Sequence, residues 1–474
     1  MTDIREIVVR SYGTDLHPVA LGATLLMGIW LLRSPRSQAV LPLTLVACLI
    51  PLTQRLVLGG LDFSMIRVLI VFGWIRILSR GELRGFRAIP LDYALCTWLA
   101  LGTLMYTLRE GNVGALVYRL GFAFDAVGVY FLFRCLIRGP RDIAQSIRIF
   151  AWITIVIAVF MTIEWLTQRN LFAVFGGVRE ITWVRDGRLR CQGAFSHPIM
   201  AGTFGATMAA LFVGLWPKPA QPRGLLAVAF AGATAIVFYS SSSGAALAYL
   251  ALLAGWGLWY YRQHMRIFVW GALAMAIVLH FVREKPIWHL ISRAAELVGG
   301  TGYHRYKLID AWVNRFSEWW LLGSNNMANW GWGLQDVTNQ YVLESVRGGL
   351  VTVLCFLVVL GLAFRTVGDT VRRAEGARLP KSRIRTQQLL AWSLGVSLAV
   401  HCVSFISVSY FGQMQILLYL LFALIASLHP QAHRRAARAP APARTPRPAA
   451  SSSPAPAGAG AGATASASLG GLLK

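Results

Sequence analysis

The sequence predicts an all-α fold: a polytopic bundle of about 12–13 transmembrane helices, each span needing ~20 mostly apolar residues. Three observations predict it. Of 474 residues, 56% are hydrophobic and 14% charged, against roughly 25% charged in a soluble domain. The apolar residues form separate runs of membrane-spanning length. Basic residues collect between the runs, on alternate loops.

The runs are centred near Leu25, Leu45, Leu69, Leu101, Ala126, Val156, Ala209, Ala231, Leu252, Leu273, Val358, Leu398 and Leu418. No cleavable leader is expected, because the first run begins only near Val19 and is short. Antiparallel alternation puts one set of loops on a common side. That set carries Arg33 and Arg36; Arg80, Arg84 and Arg87; Arg138, Arg141 and Arg148. It continues with Lys218 and Arg223, with Arg262 and Arg266, and with a dense cluster over residues 365–385. The positive-inside rule makes this side cytoplasmic, and the C-terminus with it.

Two long segments then face outward, residues 168–197 and 282–348. The membrane domain covers residues 1–428. From 429 to 474 the chain is Pro, Ala, Ser and Gly with scattered Arg, too poor in large apolar residues to bury a core. A disordered cytoplasmic tail is expected, with weak contact to anionic lipid.

The net charge of +25 is interrupted by apolar runs and makes no compact basic patch, so membrane lipids rather than nucleic acid are the expected partner. Cys48, Cys96, Cys135, Cys355 and Cys402 lie inside apolar runs and Cys191 stands alone. Their spacing suggests neither a metal site nor a disulfide framework, and they are expected as small buried hydrophobes. No metal or cofactor is expected.

Ionisable groups inside spans are costly, so they pair or line cavities. Asp125 is expected to meet an arginine on a neighbouring helix, Arg67 first, while Arg76 and Arg134 are expected to snorkel to the nearer interface. Arg119 and Glu164 also lie in or beside spans. His401 is expected as a hydrogen-bonded bundle residue.

The second outward segment begins with an expected amphipathic helix from Ile287 to Val298 and two glycines. It continues with Tyr303-His304-Arg305-Tyr306-Lys307, Trp312, Trp319-Trp320 and Trp330-Gly331-Trp332. Aromatic rings stack on sugar faces and arginine forks bind phosphates. Trp288, Trp319 and Trp320 suit an interfacial belt equally well. The first outward segment adds Arg179, Arg185, Arg188 and Arg190 against Glu180 and Asp186. Arginines on the face where they are normally sparse suit a diphosphate, or else a solvated loop.

Three patches over residues 190–351 together resemble the O-antigen ligase and polymerase superfamily of bacterial membrane glycan transferases. Arg190-Cys191-Gln192-Gly193-Ala194-Phe195-Ser196-His197-Pro198 resembles the family's entry to a middle helix. Tyr239 to Ala245 resembles its Ser-Arg-Gly-Ala turn. Arg305 to Trp312, Leu322-Gly323, Asn339-Gln340-Tyr341 and Gly348-Gly349-Leu350 resemble its outer-loop pattern. Two positions depart from that pattern. Thr338 stands where the family has His, and Ser243 where it has Arg; His304 or His197 is then the candidate replacement for the histidine.

The resemblance implies transfer of a glycan from an undecaprenyl diphosphate carrier to an acceptor hydroxyl at the periplasmic face of the inner membrane. The acceptor is a lipid or a polysaccharide. Arg305 and His304 are the implied catalytic residues. Arg190, Arg188, His197, Asn339 and Tyr341 are the implied substrate-binding ones. Two other classes remain open: a secondary transporter or glycolipid flippase, and a scaffold within an envelope-biosynthesis complex.

Overall fold

The computed structural model of the protein describes residues 16–58, 61–216, 222–290 and 302–432. The described residues all belong to one compact unit. The expected tail lies outside the described residues from 433 onward, as does the expected helix from residue 291.

The chain runs through α1 (Pro18–Arg33), α2 (Val40–Leu49), a hairpin of β1 (Arg55–Leu58) and β2 (Leu61–Ser64), α3 (Met65–Ser79), α4 (Pro90–Glu110), α5 (Val113–Leu136) and α6 (Pro140–Thr167). A second hairpin, β3 (Trp183–Arg185) and β4 (Arg188–Arg190), precedes α7 (Pro198–Leu215), α8 (Arg223–Tyr239), α9 (Ser243–Gly257) and α10 (Met265–Val282). Then follow α11 (Gly302–Asn314), α12 (Phe316–Trp319), α13 (Gln340–Glu375), α14 (Lys381–Phe405) and α15 (Gln413–Ala426).

Every hydropathy centre falls inside a helix. Among the described residues six stretches are long and apolar enough to cross a membrane: Val113–Leu136, Pro140–Thr167, Pro198–Leu215, Ser243–Val282, Gln340–Glu375 and Lys381–Phe405. Four further apolar helices have 10–17 residues, short of the ~20 a span needs. The two small hairpins depart from a purely helical reading.

Helix α7 is the axis of the bundle. All its residues except Val213 are buried, and it packs against α8, α9 and α14. Its small residues permit this close approach. A Cβ at Gly205 would stand 2.6 Å from the Ala233 carbonyl oxygen on α8.

Ser243–Val282 is two helices, joined by a 3-10 turn over Leu258–His264. Arg305 touches Ser243 at the start of α9. Trp288 and His289 meet Asp310 and Tyr306, close to Arg305 on the same helix. The chain has therefore come back to the level at which α9 began. No residue of α10 is buried, and its large apolar side chains Ile267, Trp270, Leu273, Ile277 and Phe281 are all exposed. A helix apolar on every side needs an apolar medium around it, which a bilayer supplies.

One end of the bundle gathers the basic loops. Arg36 bonds Asp142 and the Leu136 carbonyl at 2.9 and 2.7 Å. Arg80 caps the carbonyls of Leu32 and Ser34 at 2.6 and 3.1 Å. Ser427 bonds the Ile137 carbonyl at 2.7 Å, and the Arg87 amide donates to the Ala432 carbonyl. The last described residues thus share the end occupied by loops 33–36, 80–87 and 138–142.

Arg67 and Asp125 form the expected cross-helix fork, Nε–Oδ1 2.7 Å and Nη2–Oδ2 2.8 Å. Arg76 and Arg134 do not snorkel. Both are wholly buried and ion-paired, Arg76 to Glu82 at 2.9 Å and Arg134 to Asp92 at 3.0 Å. Acids near the helix ends supply a counter-charge inside the protein, so the guanidinium has no need to reach water. His401 bonds the Tyr410 hydroxyl at 2.6 Å, as a bundle residue should. All six cysteines are free; Cys48, Cys135 and Cys191 are buried as expected, whereas Cys355 and Cys402 are only partly buried and Cys96 is exposed.

Candidate functional site

At the opposite end the chain after α6 is fastened down by one carboxylate. Glu164, in the last turn of α6, accepts from the Gln192 and Gly193 amides at 3.1 and 2.9 Å and from the Thr182 hydroxyl at 3.3 Å. Asn170 holds the Gly193 carbonyl at 2.8 Å and Gln413 the Ala194 carbonyl at 2.7 Å. The Cys191 amide donates to the Tyr239 carbonyl at 2.9 Å. This strap ends at His197, the N-cap of α7, whose Nδ1 accepts from the Ile199 amide at 3.2 Å. Pro198 follows at the first helical position, where its missing N–H costs nothing.

The strap begins in the β3–β4 hairpin. Asp186 and Gly187 turn it with φ of 52° and 72°, as a two-residue Asp-Gly turn requires. Trp183 pairs with Arg190 and Arg185 with Arg188. Side chains alternate along a strand, so Trp183, Arg185, Arg188 and Arg190 share one face. The Trp183 ring carries the guanidinium of Arg179 at 5.1 Å and that of Arg190 at 5.5 Å. His197 meets the same ring edge-on at 6.2 Å. Arg190 is only 7% exposed, and its Nε is buried with no hydrogen-bond partner.

Arg305 arrives from far along the chain. Gly302, Arg305 and Leu308 are the buried residues of α11. Arg305 is 9% exposed, with Nη1 3.5 Å from the Ser243 hydroxyl. Burial, reinforced by the positive charge of Arg185, lowers the affinity of both Arg190 and Arg305 for their protons. Burial and then Arg190, Arg185 and Arg179 push His197 down to about 4, so this imidazole is neutral at pH 7. With Nδ1 accepting from an amide, its proton sits on Nε2.

Nearby acids are engaged elsewhere: buried Glu164 by the strap amides at 3.1 and 2.9 Å, Glu180 by Arg169 at 3.8 Å and Asp186 by Arg185 at 3.6 Å. Among the described residues neither Arg190 nor Arg305 has an ion-pair partner. Two buried guanidinium groups without an ion-pair partner, with the neutral His197 N–H beside Arg190, suit an anion, and bidentate arginine contacts suit phosphate. Among the described residues no three His, Cys, Asp or Glu side chains converge to hold a metal.

His304, next to Arg305, has its own setting. Its Nε2 lies 3.1 Å from the Gly333 carbonyl and its Nδ1 3.4 Å from the Thr338 hydroxyl. A carbonyl only accepts, so Nε2 carries the proton and Nδ1 is the basic nitrogen. The ring thus reaches the hydroxyl of Thr338, the position at which the sequence lacks the histidine of the resembling family.

The remaining sequence candidates divide. Arg188 is exposed at the rim. Asn339 caps α13, its Oδ1 accepting from the Tyr341 and Val342 amides at 2.9 and 3.2 Å. Tyr341 donates to the Cys402 carbonyl at 3.0 Å and packs on Phe405. Trp319 belongs neither to a belt nor to a sugar platform. It is buried with Leu308, Trp330, Leu334, Val342 and Val346 in a small core of the outer segment, and stacks on Trp312 at 5.0 Å. Trp332, by contrast, is 99% exposed. Sequence reasoning missed Trp183 as the plate that supports two arginines; the Asp-Gly turn between two alternating triplets was the signal that could have found it.

Comparison with known proteins finds no matching family model and no matching curated relative.

Proposed function

We propose that the protein is a membrane glycan transferase of the O-antigen ligase and polymerase kind. It moves a glycan from an undecaprenyl diphosphate carrier to a hydroxyl of a lipid or polysaccharide acceptor, at the periplasmic face of the bacterial inner membrane. One observation carries the reading. Arg190 and Arg305 are both buried without an ion-pair partner among the described residues, and both lie in the field of Arg185, at the end of the bundle opposite the basic loops.

In the reaction the acceptor oxygen bonds to the anomeric carbon and the anomeric C–O bond to the diphosphate breaks. The electron pair leaves with the diphosphate, and the acceptor proton passes to Nδ1 of His304. Arg305 and Arg190 stabilise the charge that develops on the leaving group, while His197 Nε2–H donates to a phosphate oxygen. Glu164 positions Arg190 through the strap and touches no substrate.

The test is reconstitution of the purified chain in vesicles with lipid-linked glycan and acceptor, scoring released undecaprenyl diphosphate. Release that disappears in Arg305→Ala is the expected result. Passage of intact lipid-linked glycan across the bilayer without bond cleavage overturns the reading in favour of a flippase.

A further inference from the structure

A second cationic site lies at the other end of the bundle, independent of the transferase reading. The 3-10 turn Leu258–His264 and the first two turns of α14 flank an open, solvent-facing cavity of ≈ 380 Å³ lined by Trp259, Arg262, Lys381, Ile384, Arg385 and Gln388. The four α14 residues stand at i, i+3, i+4 and i+7, which is one helical face. Two contacts fix the facing elements: the Trp392 indole N–H donates to the Gly255 carbonyl at 3.0 Å, and Trp392 meets Trp259 edge-on at 5.8 Å.

Three cations therefore converge on one concavity. The Arg262 guanidinium lies over the Trp259 ring at 4.4 Å, its Nη1 reaches the Trp259 carbonyl at 3.3 Å, and its Nε is buried without a partner. Glu375 borders the cavity but is not one of its lining residues and has no ion-pair partner among Arg262, Lys381 and Arg385. Glu375 accepts from Gln388 at 3.0 Å and from Gln263 at 3.5 Å. The N-terminal amides of α14 add positive potential at the same mouth.

The geometry points to a phosphate-binding site here, occupied by the head group of an anionic phospholipid. Trp259 and the exposed apolar surface of α10 face the acyl region, while Arg262, Lys381 and Arg385 take the phosphate. Basic pockets between membrane helices bind acidic head groups in this way.

Native mass spectrometry of the full chain tests it, with phosphatidylglycerol, phosphatidylcholine and inorganic phosphate as probes. The expected result is selective retention of phosphatidylglycerol, weakened about fivefold per charge removed, in Lys381→Gln, Arg385→Gln and the double variant. Both side chains are exposed and make no hydrogen bond among the described residues, so these variants keep the fold, as an unchanged melting temperature verifies. Exposed Arg378 and Arg383 lie outside the cavity, and replacing them with Gln leaves retention unchanged. Equal retention of both lipids, or equal loss in the Arg378/Arg383 control, overturns the site. Displacement of phosphatidylglycerol by stoichiometric inorganic phosphate supports phosphate recognition and overturns its lipid source.

Discussion

At one end of the bundle Arg36, Arg76 and Arg134 meet Asp142, Glu82 and Asp92 at 2.9, 2.9 and 3.0 Å. At the other, Arg190 and Arg305 are buried, yet neither has an ion-pair partner among the described residues. The same side chain does two jobs. Where the protein supplies the counter-charge, arginine ties loops together and the energy is spent on the fold. Where the protein withholds it, the guanidinium keeps an unmet electrostatic demand that a ligand can satisfy.

Mutations at the two ends should therefore fail in opposite ways. The largest effect on stability is expected at the paired end. Asp92→Ala removes the counter-charge of the wholly buried Arg134 and the partner of the Tyr130 hydroxyl at 2.5 Å. Breaking such a pair costs about 3–5 kcal/mol, visible as a lower midpoint of thermal unfolding in detergent; an unchanged midpoint would sink the comparison.

At the unpaired end Arg305→Ala should leave unfolding almost unchanged while lowering glycan transfer about 10²–10³-fold, as loss of a transition-state donor does. A large stability loss with activity retained would reverse the assignment of the two ends.

His197 gives the next effect. Its folded value is about 4 against 6.5 for the free group. The unfolded chain therefore takes up the proton first as pH falls. The stability contributed by the neutral ring is complete above 6.5 and is lost as pH drops through about 4. His197→Asn keeps a good N-cap and abolishes the titration. The melting temperature of the native chain should fall faster than that of the variant between pH 7 and 4, and parallel curves would show that the ring is not shielded.

The smallest effect is expected at Arg188, whose side chain is exposed. Arg188→Ala should change transfer by no more than about fivefold, against the much larger loss at Arg305.

Hydropathy placed each of its centres inside a described helix, because burial in lipid or in a bundle writes itself into consecutive residues. Of the roughly 12–13 expected spans, however, only six described stretches are long and apolar enough to cross a membrane. Arg67 and Asp125 were paired correctly, since two opposite charges in neighbouring spans have few other partners. Arg76 and Arg134 were misjudged because their acids, Glu82 and Asp92, lie beyond the ends of the runs. Arg305 was singled out by composition, but its approach to Ser243, 62 residues away, depends on how α9 and α11 pack. His304 was chosen by its neighbours along the chain; its contact with Thr338, 34 residues on, was equally out of sight.

The Asp186–Gly187 turn has one more consequence. Strand faces alternate, so sliding β4 by a single residue against β3 would carry Arg190 to the reverse side of the ribbon and bring Leu189 opposite Trp183. The turn's positive φ angles fix that register. A one-residue insertion there, though remote from every reacting atom, would exchange a cationic surface for a greasy one without altering a single arginine.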